Sequence, residues 1–394
     1  MSLRSLLNSL PPRSRLYLAT AVYGVAGGGV AVAFHEGIHL LYSLTYESWA
    51  GLPPAAFLWR TLVLILGAGL LSGLLVTRVC PAAAGSGIPQ LKLAFWKDFG
   101  WTPLRIIWVK LLAGTASIGG GMSLGREGPS VQLAAVTGSG LARWFGVAKQ
   151  KHRMPAAAGA AAGLAAAFNT PLAAVTFVLE EIIGDLNSRF LGNMLMASLI
   201  GALVAHGLLG AQPAFSVDLP DEPGWRTYVL APLAAVLATF TGLAFQRLTL
   251  GLRGRIRTQT ILPLWLAPAC AALLTWAIGC SVWMGTGRLG VFSLGYGDLS
   301  DALSGQLPWR IAALLLGAKL IATTLCYASG GCGGIFAPTL FFGCMAGLCA
   351  ADRWAVCTGN RRRRAAPARS RIPVAWPTQH PGGAVRGGVG AHTF

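Results

Sequence analysis

Three short strings bounded by glycine and proline interrupt an otherwise apolar chain: Gly85-Ser86-Gly87-Ile88-Pro89, Gly125-Arg126-Glu127-Gly128-Pro129 and Gly334-Ile335-Phe336-Ala337-Pro338. Glycine ends helices and proline starts them, so each string reads as a helix break followed by a restart. A helix start carries backbone N–H groups that have no partner within the helix, and the aligned peptide dipoles make it partly positive. In lipid such a break survives only where protein or a water-filled cavity satisfies the freed backbone. Three of them predict a buried, anion-favouring locus inside an oily body.

The oily body follows from composition. The 394 residues are 54% hydrophobic and 11% charged, with a mean hydropathy of +0.59. A soluble domain carries about 25% charge. Five stretches approach the ~20 residues a membrane span requires: Tyr17 to Phe34, Leu62 to Val79, Tyr228 to Phe245, Leu262 to Met284 and Ile311 to Tyr327. The fold class is therefore an all-α polytopic membrane protein, and a soluble helical protein is set aside. Arg4, Arg13 and Arg15 favour a cytoplasmic N-terminus, and the apolar segment after them is too long and glycine-rich for a cleaved signal peptide. The acidic loop at Asp218, Asp221 and Glu222 is then outside, and the basic loop at Arg247, Arg253, Arg255 and Arg257 is cytoplasmic.

Three regions are expected: a cytoplasmic N-terminal segment over 1–14, a membrane domain over 15–350, and an Arg/Pro/Gly-rich tail over 351–394 whose composition reads as disordered. Much of the net charge of +18 sits in that tail, where the run Arg361 to Arg364 lies in a segment whose one acidic residue is Asp352. No aromatic-interleaved basic patch or nucleic-acid module accompanies it, so no nucleic-acid partner is expected. The eight cysteines form no Cys-x-x-Cys pair and read as small packing residues. His35 and His39 share a helical face with Glu36 but lack a third ligand. With no nucleophile–base pair, metal cluster or nucleotide loop, the chain is not read as an enzyme and no cofactor is expected.

Glu127 is the sharpest single residue. An ionisable group in the membrane core costs at least ~2.5–3.5 kcal/mol and marks function by default. At a helix start its carboxylate can rest on the amides of Gly128 and its neighbours, and a chloride ion favours the same spot. Carboxylate and anion are then alternatives, and protonating Glu127 opens the site. A salt bridge to Arg126 or Lys110 is the plainer reading. Ser86 can offer a hydroxyl while the amides of Gly87 and Ile88 face the same cavity; the plainer reading is an N-cap on the short helix. Ile335 and Phe336 can offer only backbone N–H groups. Glu180 and Glu181 end an apolar run at a helix C-terminus, where the dipole disfavours them. Either a solvated helix end or a proton relay toward Glu127 fits.

These residues resemble the CLC family of chloride channels and proton-coupled chloride transporters. The resemblance runs from about Arg15 to Gly347 and rests on Gly-Ser-Gly-Ile-Pro at 85–89, Gly-Gly-Gly-Met-Ser-Leu-Gly-Arg-Glu-Gly-Pro at 119–129, Ala-Gly-Leu-Ala-Ala-Ala-Phe-Asn-Thr-Pro-Leu-Ala at 162–173 and Gly-Gly-Ile-Phe-Ala-Pro at 333–338. It implies a homodimer of all-α subunits, each with its own pore built from two inverted halves. By motif, Glu127 resembles the gating glutamate and Ser86 the serine that ligates the central anion. The backbones of Gly128, Ile335 and Phe336 resemble the outer anion contacts, with Gly87, Ile88 and Arg126 grouped as anion-binding. Glu181 resembles the internal proton-transfer glutamate of the exchanging branch. Serine at 86 resembles chloride-selective members. The family continues with further helices and a late tyrosine, whereas this chain has no tyrosine after Tyr327, so a truncated or frameshifted second half is expected.

The implied function is chloride transport coupled to protons, with chloride and protons as the transported ions, a lipid bilayer and a second copy as partners, and a bacterial inner membrane as location. A passive chloride channel and a non-functional membrane fragment are the alternatives.

Overall fold

The computed structural model describes residues 11–186, 190–210, 225–259 and 263–357. The acidic loop at Asp218, Asp221 and Glu222 and the arginine-rich run at 361–364 lie outside the described residues. Contacts gather into one unit, Met1–Asp352, and a second, Arg353–Phe394. Of the second unit only 353–357 is described, as helix.

The order of helices is α1 (Pro12–Tyr42), α2 (Pro54–Leu74), α3 (Ile88–Lys97), α4 (Arg105–Gly119), α5 (Glu127–Trp144), α6 (Arg153–Phe168), α7 (Pro171–Phe177), α8 (Leu191–Leu209), α9 (Trp225–Thr258), α10 (Ala267–Thr286), α11 (Tyr296–Leu303), α12 (Trp309–Ala328) and α13 (Phe336–Cys357). Wider π turns extend α1, α2 and α7 at Ser43–Glu47, Leu75–Val79 and Val178–Ile183.

Among the described residues six helices are long and apolar enough to cross a membrane. Five carry the stretches read from the sequence. The sixth, α8, is an addition, because Asn193, Ser198 and His206 break its apolar run. Between the long helices lie short ones. At 1.5 Å per residue, the 10 residues of α3 and the 8 of α11 reach only part-way across a core of about 30 Å.

A further break falls at Asn169-Thr170-Pro171. Asn169 ends α6 in the left-handed conformation (φ 56°), and Pro171 opens α7. Helix α5 begins two residues ahead of the expected Pro129 and so takes Glu127 into its first turn. Small residues bring backbones together, as membrane interiors favour. A Cβ on Gly163 would lie 2.8 Å from the carbonyl of Ser130, and one on Gly69 2.8 Å from Ala269 Cα. Helices α5 and α6 are thereby held tightly, fixing the start of α5 in the interior.

Candidate functional site

The three strings meet. Gly125 and Gly334 exchange a pair of backbone hydrogen bonds (2.7 and 2.6 Å), an antiparallel bridge between the second string and the third. Gly85 N donates to Gly331 O at 3.2 Å, tying the first string to the approach of the third. A Cβ on Gly128 would lie 2.8 Å from Ser86 Cβ, which places the first string against the second. Gln132, one turn into α5, donates from Nε2 to Ala82 O at 2.9 Å. The helix starts of α3, α5 and α13 are therefore gathered at one place.

Glu127 sits at this junction with 2% of its surface exposed. Its Oε2 accepts from the amide of Ala337 at 3.3 Å, and its Oε1 accepts from the hydroxyl of Tyr296. No ion pair to Glu127 occurs among the described residues, so the salt-bridge alternative is not what the fold builds. Lys110 instead donates to the carbonyls of Ala83 (3.0 Å) and Gly85 (2.7 Å), holding the loop that presents Ser86. Arg126 is directed to His35 Nε2 (3.3 Å) and Ala167 O (3.5 Å), with its guanidinium over the Tyr296 ring. It lies beside the carboxylate, next to an outer cluster in which His35 approaches Glu36 (3.8 Å) and His39.

Ser86 is buried beside Gly128. It does not cap α3. That position belongs to Gly87, left-handed at φ 84° with the Gln132 side chain pressed against it, and no side chain caps the helix. Ile335 immediately precedes α13 and accepts the first intrahelical bond from Thr339 N (2.9 Å), as Arg126 does from Ser130 N (3.0 Å). Of the third string, the amide that reaches Glu127 is that of Ala337, one residue beyond the expected Ile335 and Phe336.

Glu127 lines an apolar cavity of about 90 Å³, together with Ile88, Val131, Phe168, Phe177 and Phe336 among others. That volume has room for several water molecules. Phe177 immediately precedes the π turn that carries Glu180 and Glu181. Glu181 is half-exposed and 3.8 Å from Lys92 on α3. Glu127 is among the residues that line this cavity, and Glu181 is not. Among the described residues no group of three or more histidine, cysteine or carboxylate side chains could hold a metal ion.

Two residues escaped the sequence reading, Ala337 and Tyr296. The second had a signal. Gly295-Tyr296 opens a helix as Gly87-Ile88 does, but without a nearby proline to flag it.

A family model described as voltage gated chloride channel matches residues 68–368. The chain belongs to the voltage-gated chloride channel family. Its relatives include the H(+)/Cl(-) exchange transporter ClcA of Vibrio campbellii, 30% identical over 86% of this chain and 73% of that one. The ClcA of Vibrio cholerae is 32% identical over 85% of this chain and 72% of that one. Among solved structures, a slow cyanobacterial Cl-/H+ antiporter superposes with a TM-score of 0.75 at 25% identity, over 89% of this chain and 82% of that one. As a member of this family with six spanning helices, the chain is a multi-pass integral membrane protein.

Proposed function

We propose that the chain exchanges chloride for protons across the bacterial inner membrane, as a transporter and not an enzyme. The observation that carries this is the carboxylate of Glu127 resting on the amide of Ala337, where a helix start offers its donors to a negative charge. A chloride ion can replace the carboxylate on those donors, so anion and gate compete for one position. Protonation removes the charge that holds the carboxylate there and frees the position. Relatives named H(+)/Cl(-) exchange transporter and a neighbour described as a Cl-/H+ antiporter support this reading.

Ser86, buried beside Gly128, supplies a hydroxyl to an anion one step further in, with Gly87 and Ile88 forming the start of α3 around it. The amides of Gly128, Ile335 and Phe336, with that of Ala337, form the outer donors, and Arg126 adds positive potential beside them. Protons reach Glu127 from the inner side through Glu181, which is open to solvent, and the cavity lined by Phe177 and Ile88. The lipid bilayer and a second copy of the chain are the surfaces that cover exposed side chains such as Leu199, Leu203 and Leu208 on α8.

Purified protein in chloride-loaded liposomes tests this. A chloride gradient is expected to drive protons uphill. Glu127→Gln and Glu181→Gln are each expected to abolish proton movement while chloride still passes. Chloride flux without any proton movement in the unaltered protein would make it a passive channel instead.

A further inference from the structure

Tyr296 is the first residue of α11, placed there by left-handed Gly295 (φ 74°). Its hydroxyl donates to Glu127 Oε1, and the Arg126 guanidinium lies 5.6 Å from its ring centroid. The element that carries it is anchored on both sides. Lys319, fully buried on α12, donates to the carbonyls of Gly290 (2.7 Å) and Ser293 (3.0 Å) just before Tyr296. Just after it, Asp298 accepts from Arg288 at 2.9 Å, and Asp301 accepts from the same nitrogen. The phenol is delivered by a fixed framework, opposite the amide of Ala337, so the carboxylate is gripped at both oxygens.

A hydrogen bond to a charged acceptor is roughly twice as strong as one to a neutral acceptor. The Tyr296 hydroxyl therefore holds the charged carboxylate more tightly than it would a neutral carboxyl. Other charged or titratable groups also face this site. Arg126 lies beside it, His35 of α1 bonds Arg126, and Lys110 of α4 sits behind the Ser86 loop; α13 presents none in its first turn. Among the described residues none of these donates to Glu127.

We propose that Tyr296 is a positioning residue that latches Glu127 shut from the outer side and sets the proton concentration at which the gate is released. The proposal deepens the exchange reading and rests on Glu127 being the gate. When Glu127 takes a proton, the bond to the phenol weakens and the side chain leaves the amides. The phenol hydroxyl can then donate to the incoming anion.

The test is chloride flux in liposomes against external pH, a readout that exists for an exchanger and a passive pore alike. Tyr296→Phe keeps the ring and removes the donor. Loss of a hydrogen bond to a charged group is expected to move the midpoint up by about one to two pH units. A fluorinated tyrosine at the same position, a stronger donor of unchanged shape, is expected to move it down. Adding Tyr296→Phe to Glu127→Gln is expected to create no pH dependence. Flux that persists in Tyr296→Phe with an unmoved midpoint would overturn the latch. So would the same shift in the Glu127→Gln background, which would assign it to another group. An absence of proton movement in the unaltered protein would instead refute exchange, and the midpoint would still report on Tyr296.

Discussion

The first and second halves of the membrane domain set their broken helices in the same way and arm them differently. In the first half, positive φ at Gly85 and Gly87 precedes α3, and buried Lys110 binds the carbonyls of the loop. In the second, positive φ at Ser293 and Gly295 precedes α11, and buried Lys319 does the same. Gly125 and Gly334 face each other across a reciprocal bridge, each followed by a helix start and then by proline at the same offset. Along these matched frames Glu127 corresponds to Phe336, Gly128 to Ala337, Ser86 to Leu294 and Ile88 to Tyr296. The donors are common to both halves, whereas the carboxylate and the serine hydroxyl come from the first and the phenol from the second. Ile88 and Phe336 line one cavity together with Glu127, and their counterparts Tyr296 and Glu127 are joined by a hydrogen bond. The matched backbone supplies helix-start amides in both halves, and the unmatched side chains tell the halves apart.

The comparison can be broken at its tightest point. A Cβ at Gly128 would lie 2.8 Å from Ser86 Cβ and 3.0 Å from its carbonyl, whereas position 337 already carries a methyl. Overpacking there costs about 1–3 kcal/mol. Gly128→Ala is therefore expected to lower chloride affinity roughly tenfold or more by titration calorimetry, since ~1.4 kcal/mol is a factor of ten. Ala337→Gly removes a methyl at a helix start and is expected to change affinity by about twofold or less. Equal effects at the two positions would mean that the first half has no special closeness to Ser86.

The buried lysines sharpen the comparison with smaller effects. Each holds two carbonyls, and a net hydrogen bond is worth about 1 kcal/mol, roughly fivefold in an equilibrium constant. Lys110→Met is expected to weaken chloride binding about fivefold through the Ser86 loop. Lys319→Met is expected to leave that affinity nearly unchanged and to raise the midpoint of the pH profile by under about one unit through Tyr296. Calorimetry and liposome flux on the two variants read these effects separately. The opposite pattern would exchange the roles of the two loops.

The strings themselves were legible because glycine and proline are local signals. Each marks a break whatever lies around it, and a glutamate next to a break in an apolar chain stands out by the cost of burying it. The five apolar stretches were legible for the same reason. Partners across the fold were not. Tyr296 lies 169 residues from Glu127, and its helix start lacks the proline that flagged the others. Lys110 could be singled out as a buried charge, yet its natural partner in the sequence was Glu127, and only the fold shows it satisfied by carbonyls. The resemblance groups Arg126 with the anion-binding residues. Its guanidinium is engaged with His35, Ala167 and the Tyr296 ring, an orientation that no spacing specifies. The resemblance names the backbones of Ile335 and Phe336, one residue short of the amide that reaches the carboxylate.

The gathering of helix starts on one negative charge is tested most directly by anomalous scattering from bromide in crystals of Glu127→Gln. With the carboxylate neutralised, bromide is expected beside the amide of Ala337, where Glu127 Oε2 now rests. Bromide found only at the protein surface, with none at the junction of the three strings, would contradict it.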